Sequence, residues 1–221
     1  MKRTTRVFLV RHGASAASRE DAFAGATDVD LSDEGRQQAE RLGARLAREP
    51  LAAVYASPMR RTRETAAIIA RPHGLEPMTR DALREIDHGH WEGLRRSEVE
   101  QRFAGEYAAW EEDPFTFAPE GGETGLAVMA RALPVLREIV RQHPGGRVLV
   151  VSHKATIRLA LASLLGFDPR AYRDTLDQQP CSLNIVDFPD PVRARLMLFN
   201  DISHYADYPG SPGPRLSKWW A

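Results

Sequence analysis

Two histidines that close hydrophobic runs are the side chains best placed to do chemistry in this chain. Val7-Phe8-Leu9-Val10 runs into Arg11-His12-Gly13, and Val148-Leu149-Val150-Val151 runs into Ser152-His153-Lys154. A third run, Ala52-Ala53-Val54-Tyr55-Ala56, leads into Ser57-Pro58-Met59-Arg60-Arg61. A neutral imidazole is a good nucleophile toward phosphorus near neutral pH, provided that one ring nitrogen is free and the other is fixed by a hydrogen bond. The guanidinium groups of Arg11 and Arg61 are planar forks that match phosphate oxygens in pairs. His153, as a donor, would balance the charge growing on a phosphoryl group. What remains is a proton for the leaving oxygen. A partly buried carboxyl beside an anion can stay protonated long enough to give one, and Glu85, Asp87 and Glu92 are the candidates by position.

Strands and helices must bring these groups together. Apolar, β-branched runs of this length read as buried strands. Parallel strands would set their carboxyl ends side by side, at the edge where open α/β sheets bind ligands. Between the strands the spacing predicts helices. Ser32 caps one over 33–48, with Ala39, Leu42 and Leu46 on one face. Pro58 suits the first turn of a second, which passes through Thr65, Ile68 and Ile69 to Pro72. Leu126, Met129, Leu133, Leu136 and Val140 form an amphipathic stripe on a third, which Pro134 should kink. A fourth covers 155–165 and closes at Gly166. Residues 75–79 predict a short outer strand, and 183–185 and 194–199 two last strands. The alternation implies an α/β fold, a three-layer α/β/α sandwich with a mainly parallel sheet, in a single domain of residues 1–221.

Residues 86–120 depart from this alternation. A turn-rich stretch is followed by a helical pattern over 97–110 that carries Phe103, Tyr107 and Trp110, then Phe115 and Phe117. The segment reads as a small helical cap inserted over the cleft, with its rings as cap core. The Pro- and Gly-rich stretch 209–214 predicts a mobile tail over 209–221, in which Trp219 and Trp220 are anchors for the body or a neighbouring subunit.

Thirty basic and thirty acidic residues cancel, so nothing global calls for nucleic acid or an anionic membrane. No window is apolar enough to span a bilayer, and the first apolar run is too short for a signal peptide. Cys181 is the only cysteine, which excludes an internal disulfide and suits a small buried side chain. These features lead to the expectation of a cytoplasmic protein.

Leu9-Val10-Arg11-His12-Gly13, Ser57-Pro58-Met59-Arg60-Arg61, Leu83-Arg84-Glu85-Ile86, Gly121-Gly122-Glu123-Thr124 and Val151-Ser152-His153 resemble, in order, the motifs of the histidine phosphatase superfamily, the phosphoglycerate mutase-like proteins. The resemblance covers about residues 5–205. It implies that His12 becomes phosphorylated, that Arg11, Arg61 and His153 hold the phosphoryl group, and that Glu85 is the proton donor and later the base that activates water. It also implies no metal and no other cofactor, and a homodimer as the assembly. The position that the family often fills with asparagine is Ser18, which can donate one hydrogen bond to phosphate. Lys154 stands where glycine often follows the second histidine, and either adds charge at the site or faces solvent. Ser15 is available as a phosphate-contacting hydroxyl, and Gly13 lets the backbone approach a bound group. The runs Ile86-Asp87-His88-Gly89-His90-Trp91 and Asn200-Asp201-Ile202-Ser203-His204 are similar to segments of metal-independent phosphoserine phosphatases, which would set His204 on a substrate carboxylate.

The function implied is a metal-independent phosphomonoesterase of the histidine acid phosphatase type, acting on a small-molecule phosphate ester. The short stretch between Glu85 and His153 favours hydrolysis over a phosphoglycerate mutase, which must retain a bisphosphate intermediate. A non-catalytic, phosphate-ligand-binding regulatory protein is a further alternative. A metallohydrolase built on His12, His153, His88 and Glu85 is another, against the simpler reading of His88 and His90 as a turn that lines the cap.

Overall fold

The computed structural model describes residues 4–15 and 22–206. Among these, six strands form one sheet: β1 (Thr5–Arg11), β2 (Ala53–Ala56), β3 (Met78–Thr79), β4 (Arg147–Ser152), β5 (Leu183–Phe188) and β6 (Arg195–Asp201). Their order is β3-β2-β4-β1-β5-β6. The first four of these are mutually parallel, β5 is antiparallel to β1, and β6 is antiparallel to β5. The helices are α1 (Asp33–Leu46), α2 (Arg60–Ala70), α3 (Arg96–Arg102), α4 (Ala104–Glu112), α5 (Gly125–Gln142), α6 (Lys154–Leu165), α7 (Tyr172–Thr175) and α8 (Ser203–Ala206).

Three layers follow from strands that are apolar on both faces. Val7 and Leu9 of β1, with Val148 and Val150 of β4, pack against Leu136 and Ile139 of α5 and Ile157 and Leu161 of α6. Phe8, Val10, Leu149 and Val151 point the other way, onto Leu42 of α1 and Ile69 of α2. Ser32 caps α1 as expected, its side chain accepting from the Gly35 amide. No helix of the described residues is long and apolar enough to cross a membrane.

Several expectations change in detail. Helix α5 runs through Pro134 as one element, and its buried positions include Val128, Ala132, Leu136, Ile139 and Val140. Leu126, placed on the apolar stripe by spacing, is 48% exposed. The helix expected over 97–110 is two, α3 and α4, which meet at Phe103. Pro58 precedes the capping residue Met59 and so lies outside the first turn of α2. The outer strand is only Met78–Thr79. Ser18 and the 209–221 tail lie outside the described residues.

The cap has its own small core. Trp91, Val99 and Trp110 are buried with Phe23, and Phe103, Tyr107 and Phe117 pack around them. Trp91 follows a tight turn in which Gly89 adopts φ +53°. A side chain at Gly89 would also strike the backbone of 120–122, so glycine is required there.

Candidate active site

Strand register sets the chemistry. Arg11 lies beside Ser152, and Ala56 beside Val151, so the residues that follow each strand emerge at one edge. The His12 amide donates to the Ser152 carbonyl at 3.0 Å, and the His12 carbonyl accepts from the Cys181 amide at 3.0 Å. The backbone of the histidine is thus held from both sides. Its ring is only 6% exposed. Nδ1 faces the Gly13 carbonyl at 2.8 Å and must carry the proton there, which leaves Nε2 with its lone pair. Burial, reinforced by Arg11 and Arg61, holds His12 well below the usual histidine range, so the ring is neutral at neutral pH.

His153 lies with its ring 5.2 Å from that of His12, edge on. Arg61 Nε donates to its Nδ1 at 3.3 Å, so the proton is on Nε2, which faces Ser57 Oγ at 2.8 Å. Burial and the charges of Arg61 and Arg11 keep this ring neutral too. Both nitrogens are therefore engaged with protein. A donor role toward a phosphoryl group requires Nε2 to turn from Ser57, a partner that motif reading overlooked.

The two arginines differ. Arg11 Nη1 donates to the Gln178 carbonyl at 2.6 Å, whereas its Nε is buried with no hydrogen-bond partner. Burial lowers Arg11 to about 10, still a cation at neutral pH, so a charged guanidinium with one donor unmet lines the cleft. Arg61 is 1% exposed and its fork is already occupied. Nη1 donates to the Thr27 carbonyl at 2.7 Å, and Nη2 to those of Ala24 at 3.2 Å and Gly25 at 2.8 Å. The expected two-oxygen grip on phosphate would have to displace one of these bonds. As folded, Arg61 orders the 24–27 loop. Glu92 holds the same loop from the other side, accepting from the amides of Gly25, Ala26 and Thr27.

The three candidate acids separate clearly. Glu92 clamps the loop. Asp87 accepts from the Gly89 amide within its own turn. Glu85 alone of the three lines the cleft. Its Oε1 accepts from the amides of Ile86 and Thr156, and its Oε2 from that of Ala155. The two last amides belong to the first turn of α6, so the sequence after His153 fixes where the carboxyl points.

The cleft has two lobes of about 160 and 190 Å³. Arg11, His12, Ser15 and Arg61 line the first. Glu85, His88 and Lys154 line both. Arg158, Tyr172 and Arg173, on α6 and α7, line the second and were not singled out from sequence. Burial, with Arg158 and Arg11 adding to it, brings Lys154 down to about 7 against the pull of Asp177 and Glu85.

Two expected binding residues do not reach the cleft. Gly13 lines neither lobe. Glycine is needed there because a Cβ would stand 2.5 Å from the Gly35 carbonyl oxygen, where the loop crosses the start of α1. His204 lines neither lobe and sits on α8, where burial lowers it to about 4. A neutral imidazole there is a poor carboxylate anchor. Among the described residues no group of three or more His, Cys, Asp or Glu side chains is arranged to hold a metal ion, and His12, His153, His88 and Glu85 form no such set.

Comparison with known proteins follows the same lines. The family model for the histidine phosphatase superfamily (branch 1) matches residues 7–202. Phosphoserine phosphatase 1 of Hydrogenobacter thermophilus is 37% identical over 163 residues, 74% of this chain and 77% of that protein. Glucosyl-3-phosphoglycerate phosphatase of Mycolicibacterium vanbaalenii is 33% identical over 172 residues, covering 74% and 76%. The solved structure of Bacillus stearothermophilus YhfR superimposes with a TM-score of 0.85 at 31% identity, over 90% of this chain and 98% of that one.

Proposed function

Because the chain belongs to the histidine phosphatase superfamily, we propose that it is a metal-independent phosphomonoesterase that hydrolyses a small-molecule phosphate ester through a phosphohistidine on His12. Nε2 of His12 attacks phosphorus. The N–P bond forms as the ester P–O bond breaks, and Glu85 gives its proton to the leaving oxygen. Water then enters, Glu85 takes its proton, and the oxygen attacks phosphorus. The N–P bond breaks, which restores a neutral His12 and releases phosphate. Arg11 neutralises the transferring group with its guanidinium charge, and Ser15 adds a hydroxyl on the wall of the same lobe.

The observation that carries this reading is the state of His12: Nδ1 tied to the Gly13 carbonyl, a ring kept neutral, and an unpartnered arginine donor at the same lobe. Two of the relatives named above are a phosphoserine phosphatase and a glucosyl-3-phosphoglycerate phosphatase, which supports a small ester here. Hydrolysis of p-nitrophenyl phosphate tests it. Loss of turnover in His12→Ala is expected, and a rate equal to that of the unaltered protein would overturn it.

A further inference from the structure

The larger lobe of the cleft contains charge that phosphoryl transfer does not use. Lys154 and Arg158 stand one turn apart on α6 and both line it. They share one carboxylate, Asp177. Arg158 Nη2 donates to it at 2.9 Å, while Lys154 Nζ stays 3.9 Å away, too far for a hydrogen bond. Arg158 is 4% exposed, and its Nε is buried with no hydrogen-bond partner. A buried donor left unmet is costly, so this guanidinium is held with part of its hydrogen-bonding capacity unused.

The other two cations of this lobe are already committed. Arg173 stacks over the Trp110 ring at 4.1 Å and donates to the Glu111 carbonyl at 3.0 Å. Arg96 pairs with the Glu111 carboxylate at 2.6 Å. The Arg173 contacts fasten α4 of the cap to α7 of the body, and the Arg96 pair ties α3 to α4. Lys154 and Arg158 are therefore the pair facing a ligand, two basic groups beside the carboxyls of Asp177 and Glu85. Burial with too little counter-charge is what brings Lys154 down to about 7, and an incoming anion would relieve it.

We propose that this lobe is a subsite for a second anionic group of the ester, a carboxylate, whose two oxygens accept from Lys154 Nζ and the Arg158 guanidinium. The two residues thereby set a preference for carboxylated phosphate esters over neutral ones. The proposal rests on the His12 reading only for which end of the ester lies in the smaller lobe.

The test uses two esters that differ by one group, 3-phosphoglycerate and glycerol 3-phosphate, in which hydroxymethyl replaces carboxylate. Binding is measured by titration calorimetry with the His12→Asn protein, and turnover by phosphate release from the unaltered enzyme. The carboxylated ester should bind at least about tenfold more tightly. Lys154→Gln should cut that ratio about fivefold or more, and Arg158→Lys, which keeps the charge but loses the planar guanidinium, should also lower it. Arg60→Gln removes an equal charge from an exposed pair with Asp28 and Asp30 and should leave the ratio as it was. A ratio near unity, or one unchanged in folded Lys154→Gln and Arg158→Lys, overturns the subsite. Phosphate release from neither ester nor from p-nitrophenyl phosphate, with the binding ratio intact, would instead overturn the catalytic reading and uphold the subsite.

Discussion

Glu92 offers a demanding test of how the cleft is held together. Its Oε1 accepts from the amides of Gly25 and Ala26 at 2.9 Å each and of His88 at 3.1 Å. Its Oε2 accepts from Thr27 N at 3.0 Å and Thr27 Oγ1 at 2.7 Å. Glu92→Gln keeps the shape but turns one acceptor oxygen into an NH2 that faces donors. At least two of these bonds are then lost. Bonds to a charged group contribute about 1.5–3 kcal/mol each, so about 3–6 kcal/mol is at stake. Thr27 is exposed and regains water, which reduces the loss to about 2–4 kcal/mol. For a chain of this size the melting temperature should fall by about 5–15 °C. Hydrogen exchange over 22–30 should rise, and kcat/KM should drop, because Ala24 and Gly25 line the lobe of His12. The pH dependence has a definite sign. Burial pushes the Glu92 carboxyl up, but the bonds from Thr27, Ala26 and His88 outweigh it and leave it below its ordinary 4.5. Its contribution is therefore complete above 4.5 and is lost as pH falls through the lower folded value. The gap between the two proteins should close only in that acid range. A melting temperature within about 1 °C of the unaltered protein at neutral pH, with loop exchange unchanged, would refute the reasoning.

Glu85→Gln should lower kcat for an alkyl phosphate by about 10²–10⁴, and by much less for p-nitrophenyl phosphate, whose leaving group needs no proton. Equal losses would deny Glu85 its role as acid. Lys154 carries its charge below about 7 and loses it above. The kcat/KM for 3-phosphoglycerate should therefore fall as pH rises through neutrality more steeply than that for glycerol 3-phosphate, and parallel profiles would contradict this. Thr65→Val removes the acceptor of the Gly13 amide, now at 3.1 Å. It should cost about 1–3 kcal/mol of stability in chemical denaturation. It should also reduce kcat, since the Gly13 carbonyl orients His12; an unchanged kcat would count against that link.

The sheet was legible because Val7 to Val10 and Val148 to Val151 are apolar at every position, as a parallel strand between two helical layers must be. The phase of α5 was harder. Its stripe was drawn through leucines, yet Leu126 faces solvent while the smaller Ala132 and Val128 sit against the body, because packing selects shape as well as hydrophobicity. The split of the cap helix falls at Phe103, which packs against rings from distant segments, a contact no local pattern encodes. At the site, residue identities were readable and their bonds were not. The fork of Arg61 closes on carbonyls of 24–27, a contact between segments far apart in sequence. Gly13 looked like a ligand-approach glycine and is instead a crossing point with Gly35. Lys154 and Arg158 could have been paired from their helical spacing alone, had the helix after His153 been read as a wall of the cleft.

The central claim is that one imidazole ring carries the phosphoryl group between two displacements. Enzyme mixed with a labelled ester and quenched in alkaline denaturant, where an N–P bond survives, should yield label on the peptide that contains His12. That label should disappear on acid treatment. Steady release of phosphate with no acid-labile label at His12 on the turnover timescale would contradict the account.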